Sequence, residues 1–170
     1  ICDGLDKFEE VFGYRAECFV APNSIFSSEL EPTLASSGIR FIGTSRFKKE
    51  ASGRGRYTRK FRYLGQRNNN GQIYILRNCV FEPCATKGDS VDSCLKDISV
   101  AFKLRKPAII NTHRVNFMGS FDPKNREHGL QKLYSLLQSI TKIWPEVEFM
   151  NSVQLGNLVS GVPPKTGEPA

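Results

Sequence analysis

At 170 residues, 39% hydrophobic and 24% charged, the chain is long enough for one domain with a real core. No apolar run approaches the length of a helical membrane span, and the acids scattered through residues 1–10 exclude a cleavable signal. The net charge of +7 is concentrated: from Arg46 to Arg67 nine cations face only Glu50, a net of +8, so the remainder is close to neutral.

In chain order, Leu5, Phe8, Val11 and Phe12 share one face of a first helix, and Gly13 supplies its stop. The run 18–21 reads as a buried strand closed by Pro22. Ser27 or Ser28 caps a short helix that ends at Gly38, and 39–43 is a second strand. The stretch 46–72, rich in Gly, Ser and Asn, has no sustained period and reads as a long basic loop with room for a hairpin around Tyr57 to Tyr63. Residues 73–76 form a third strand. A helix over 90–106 carries Val91, Leu95, Ile98 and Phe102 on one side, and Pro107 breaks it before the apolar strand 108–110. The clearest helix, 126–144, shows a stripe of Leu130, Leu133, Leu137, Ile140 and Trp144. A last strand over 147–150 and a short helix through Leu155 and Val159 complete the domain, 1–160, and the proline-rich tail over 161–170 is expected to be disordered. Alternating helices and wholly apolar strands predict an α/β fold, a partial barrel of mostly parallel strands. The chain opens without Met inside a helical pattern, so it is expected to be the carboxyl-terminal part of a larger protein.

The cysteines Cys2, Cys18, Cys79, Cys84 and Cys94 include no CxxC pair and lie far in sequence from His113 and His128. They read as free, mostly buried thiols of a reducing compartment, the cytoplasm. No glycine-rich phosphate loop follows any strand, which excludes nucleotide binding of the usual kinds.

Parallel α/β barrels place chemistry at the carboxyl ends of their strands. His113 stands just past the strand 108–110, where an imidazole suits a general acid or base. Position alone leaves a purely structural histidine equally open. His128, beside Glu127 early in a helix, reads as a solvated surface residue.

The segments Phe19-Val20-Ala21-Pro22-Asn23, Arg77-Asn78-Cys79-Val80-Phe81-Glu82-Pro83 and Ile109-Ile110-Asn111-Thr112-His113-Arg114-Val115-Asn116-Phe117 together resemble polysaccharide deacetylase-like proteins, metal-dependent carbohydrate esterases with a NodB-type barrel. The closing run from Trp144 to Met150 fits their final strand. The resemblance covers the second half of that catalytic domain. It implies hydrolysis of acetyl groups on a polysaccharide or lipid-linked glycan, with His113 protonating the leaving group. By the same resemblance Pro22 and Asn23 fall on a groove-lining loop, with Arg77 and Arg114 bordering the groove, although the family's Arg and Tyr of that loop are absent. Asp89 falls loosely on an acidic motif that lacks its Trp, and an N-cap role explains Asp89 better. The family's divalent metal, zinc, is held by an aspartate and an HxxxH pair in the first half of the domain. No HxxxH or paired aspartate occurs here, so this chain alone is expected to bind no catalytic metal and to be inactive. The expected partners are the acetylated glycan and the missing half of the domain.

Two further readings stay open. One is a non-catalytic carbohydrate-binding member of the same fold. The other rests on cations interleaved with Phe47, Tyr57, Phe61 and Tyr63, which suit nucleic acid or an anionic glycan, the glycan ranking higher. A solvated loop with hydrophobic anchors is the plain explanation of the same stretch.

Overall fold

A strand without alternation leaves no side for water, and Phe41–Thr44 is buried at every position. The computed structural model describes residues 1–85, 88–120 and 122–161. Its helices are α1 (Cys2–Phe12), α2 (Glu31–Ser36), α3 (Ser90–Lys103), α4 (Pro123–Ile143) and α5 (Ser152–Ser160). Its strands are β1 (Cys18–Val20), β2 (Phe41–Thr44), β3 (Phe47–Ala51), β4 (Tyr57–Phe61), β5 (Ile73–Leu76), β6 (Cys79–Val80) and β7 (Ile110–Asn111). Two compact units result: Ile1–Leu76 with the segment from Met150 onward, and Arg77–Phe149. Among the described residues the strands form three separate sheets and no closed barrel, so the fold is mixed α/β. No described helix is long and apolar enough to cross a membrane. The expected tail over 162–170 lies outside the described residues.

In the first unit β1, β2 and β5 form a parallel sheet with β2 at its centre, pairing Cys18 with Phe41 and Phe41 with Ile73. Ala21, Phe26, Leu34, Ile39, Ile42 and Tyr74 form the core, joined by Leu5 and Phe19. Helix α5 closes on Phe41 through Gly156, where an added Cβ would stand 2.5 Å from the ring. Its start is fixed by a capping box between Asn151 and Gln154. Arg40 ties the unit together, donating to Glu17 at 2.6 Å and to Asn157 Oδ1 at 2.8 Å.

The stretch 46–72 is ordered, which corrects its reading as a loop. Strands β3 and β4 pair antiparallel from Phe47↔Phe61 to Ala51↔Tyr57, earlier in sequence than the hairpin expected around 57–63. The turn between them places Gly53, Arg54 and Gly55 at positive φ. Residues 63–72 then fold back on β5, the Gly65 N–H donating to the Tyr74 carbonyl at 3.0 Å and the Tyr74 N–H to the Gln66 carbonyl at 2.9 Å.

In the second unit β6 and β7 pair in parallel, and α3 packs on α4. Cys79, Phe81, Val91, Cys94, Ile98, Leu136 and Ile140 form the core. The buried stripe of α4 therefore runs through Leu136 and Ile140, while Leu130 and Leu137, expected inside, are exposed. Gly129 decides the rotation: an added Cβ would meet the Asn116 carbonyl at 1.9 Å, so this face of α4 lies against backbone. Residues 147–150 form no strand, and the strand expected over 108–110 is assigned at Ile110–Asn111. All five cysteines are free as expected, but only Cys79 and Cys94 are buried, and Cys2 and Cys84 are exposed.

Candidate functional site

Parallel pairing does for two distant segments what a turn does for neighbours. Strand β6 sets Val80 opposite Asn111, so residues two places beyond each emerge side by side at the carboxyl ends of the strands. Those residues are Glu82 and His113. Phe81, between Val80 and Glu82, is buried in the core and its N–H donates to the Asn111 carbonyl at 2.9 Å, which keeps the register beyond the last strand residue.

The imidazole Nδ1 lies 2.7 Å from Glu82 Oε1. A carboxylate only accepts, so this contact places the proton on Nδ1 and leaves Nε2 as the free ring nitrogen. The second carboxylate oxygen accepts from Asn116 Nδ2 at 2.6 Å. Asn116 is fully buried and also donates to the His113 carbonyl, while its Oδ1 accepts from the Cys84 N–H at 3.1 Å. The carboxylate is only 13% exposed and the imidazole 60% exposed. A fixed acid therefore holds an accessible ring by its inner nitrogen. Such a ring can give or take a proton at Nε2, with the carboxylate stabilising the imidazolium that forms.

Arg114 follows His113 as the first residue of a short 3-10 turn, Arg114–Phe117, and is exposed. Arg77 donates to Asn111 Oδ1 at 2.6 Å, bracing the residue that ends β7. Asp89 caps α3, accepting from Val91 N at 2.9 Å, and that bond leads the contacts that hold its carboxyl below the usual range. No contact joins Asp89 to the His113–Glu82 pair. Pro22 and Asn23 sit in the other unit, exposed on a 3-10 turn after β1 where Asn23 and Ser24 adopt positive φ. His128 is exposed on α4. Sequence reasoning missed Glu82 and Asn116 as site residues. Their signal was an equal offset from two strand ends, legible only once the parallel register is known.

A second polar cluster lies in the first unit, within the supposed loop. Lys48 is fully buried and donates to Glu31 at 3.0 Å, Glu50 at 2.7 Å and Ser28 at 2.8 Å, with its ammonium 3.8 Å from the Phe26 ring centre. Lys60 pairs with the other Glu50 oxygen at 2.7 Å, and Ser28 also donates to Glu50. Glu31 further accepts from Tyr74 Oη at 2.6 Å and Asn68 at 2.9 Å. Burial alone would raise the Glu50 carboxyl, yet the bonds from Lys48, Lys60 and Ser28 hold it down at about 2. Burial, followed by the bond to Glu31, pushes Tyr74 up to about 12. Two lysines balance two carboxylates here, and every acid oxygen is engaged, so the cluster fastens the hairpin to the core.

Among the described residues no three His, Cys, Asp or Glu side chains are grouped to hold a metal ion. The divalent ion implied by the resemblance finds no ligand set among the described residues. Comparison with protein-family models, with curated proteins and with solved structures finds no match to this chain.

Proposed function

We propose that this chain carries the proton-transfer side of a hydrolytic site that removes acetyl groups from a polysaccharide or lipid-linked glycan, on part of a NodB-type barrel. The observation that carries the proposal is the 2.7 Å bond from His113 Nδ1 to the shielded Glu82 carboxylate. It gives the exposed ring one defined tautomer and one available nitrogen. Water adds to the acetyl carbonyl and its proton passes to Nε2 of His113; the imidazolium then returns that proton to the departing amine or hydroxyl as the acyl bond breaks and acetate leaves. Glu82 balances the imidazolium before that transfer, and Asn116 fixes Glu82. Arg114, adjacent and exposed, meets anionic or hydroxyl groups of the glycan. The sequence segments that resemble the deacetylases include all of these residues.

The test is acetate release from acetylated chito-oligosaccharide and acetylated xylan by the complete gene product. His113→Ala is expected to cut turnover by about a hundredfold or more, and Glu82→Gln by about tenfold or more. Turnover within twofold of wild type in His113→Ala would make the histidine structural and end the proposal.

A further inference from the structure

The pairing of β3 with β4 sorts the hairpin into two unlike faces. Lys48, Glu50, Thr58 and Lys60 share one face, and Lys48 and Glu50 are buried in the neutral cluster described above. Phe47, Lys49, Tyr57, Arg59 and Phe61 share the other, and all of them are exposed. Arg54 and Arg56 are exposed in the turn where this second surface ends. It contains no acid, and among the described residues no carboxylate pairs with Lys49, Arg54, Arg56 or Arg59. Two large apolar rings, 53% and 57% exposed, thus sit beside four unpaired cations on one ribbon.

We infer that this hairpin face docks on an anionic lipid surface. Charge complementarity requires an anionic partner, since the face and its turn offer four cations and no balancing acid. The geometry of the rings selects the kind. Phe47 and Phe61 pack edge to face, with centroids 5.8 Å apart and planes at 61°. Each ring covers part of the other, which makes a compact apolar knob in place of the successive open ring faces that stacked bases need. A knob of phenylalanine flanked by Lys and Arg, with a tyrosine farther along the same face, matches the headgroup boundary: rings enter the apolar edge while cations meet lipid phosphates and carboxylates. The hairpin is held from behind by the Lys48 network, so docking requires no refolding of the ribbon.

The experiment is co-sedimentation of the purified protein with vesicles of phosphatidylcholine and phosphatidylserine at about 3:1, with pure phosphatidylcholine vesicles alongside, at about 0.1 M and about 0.5 M salt. Binding is expected to the anionic vesicles at low salt and to be absent from neutral ones. The double variant Arg54→Asn with Arg56→Ser, confined to the turn, is expected to weaken partitioning about thirtyfold. Phe47→Ser with Phe61→Ser is expected to weaken it about tenfold or more and to leave a residue that high salt abolishes. Far-UV circular dichroism verifies that each variant folds, and the turn variant carries the test if the ring variant does not. Absence of binding to anionic vesicles at low salt overturns the inference, as does binding that neither variant changes. Tighter binding to a single-stranded uridine oligonucleotide than to the vesicles also overturns it, assigning the face to nucleic acid. The assay contains no acetylated substrate, so its outcome is independent of the proposed hydrolysis.

Discussion

Replacing Lys48 with Met removes the counter-charge at the centre of the first unit. The ammonium is fully buried between Glu31 and Glu50, and breaking a buried pair by removing one partner costs about 3–5 kcal/mol. The lower end applies here. Glu50 retains Lys60 and Ser28, and Glu31 retains Tyr74 and Asn68, so neither acid is stranded. We expect a loss of about 3 kcal/mol. Proton linkage bounds the Glu50 share independently. Its carboxyl lies at about 2 against an ordinary value of 4.5, with an acid side chain only 11% exposed. That depression corresponds to about 3 kcal/mol. The folded value lies below the unfolded one, so the contribution is complete above pH 4.5 and drains away as pH falls toward 2. Urea unfolding followed by circular dichroism, at neutral pH and through an acid series, measures both effects. Lys48→Met should unfold at lower urea at neutral pH, and its acid unfolding should begin at a higher pH than wild type. A variant within about 0.5 kcal/mol of wild type at neutral pH, with an unchanged acid limb, would refute the reasoning.

Gly129→Ala forces a methyl to 1.9 Å from the Asn116 carbonyl, and a loss of about 2–3 kcal/mol in urea unfolding is the expected result. Thiol labelling of the native protein should modify exposed Cys2 readily, while Cys79 and Cys94 react only on unfolding. Burial, with Asp97 nearby, pushes Cys79 up to about 11, and burial with Cys79 and Asp97 pushes Cys94 up to about 12, so neither forms the reactive thiolate. Nitrogen-15 NMR should find neutral His113 as a single tautomer protonated at Nδ1, and Glu82→Gln should yield a mixture, because a carboxamide both donates and accepts. A mixed population already in wild type would show that Glu82 does not fix the ring.

Much of the fold was legible because it rests on short-range pattern. The run 73–76 and the helices around Ser90 and Ser152 follow directly from apolar spacing and caps. Errors arose where a neighbour overrode the pattern. The apolar stripe read for α4 rotated because Gly129 lets a backbone carbonyl approach, and only three-dimensional placement reveals that demand. The hairpin was expected too late in the sequence because β3 carries Lys48 and Glu50 on its buried side, inverting the alternation that marks a strand. At the candidate site His113 was found from its place after an apolar strand. Its partner Glu82 was not, since 31 residues separate them and only parallel register brings them together.

That register has a consequence for how the chain tolerates change in length. Glu82 follows Val80 by two, and His113 follows Asn111 by two, so both side chains inherit one facing from the pleat. Inserting a single residue between Val80 and Phe81 would turn the carboxylate toward the core and put Phe81 outside. The connection between the two strands, by contrast, lengthens at a cost that grows only slowly with the residues added. The pair is therefore addressed by parity: an odd change at either strand end erases it, while insertions in the crossover leave it standing.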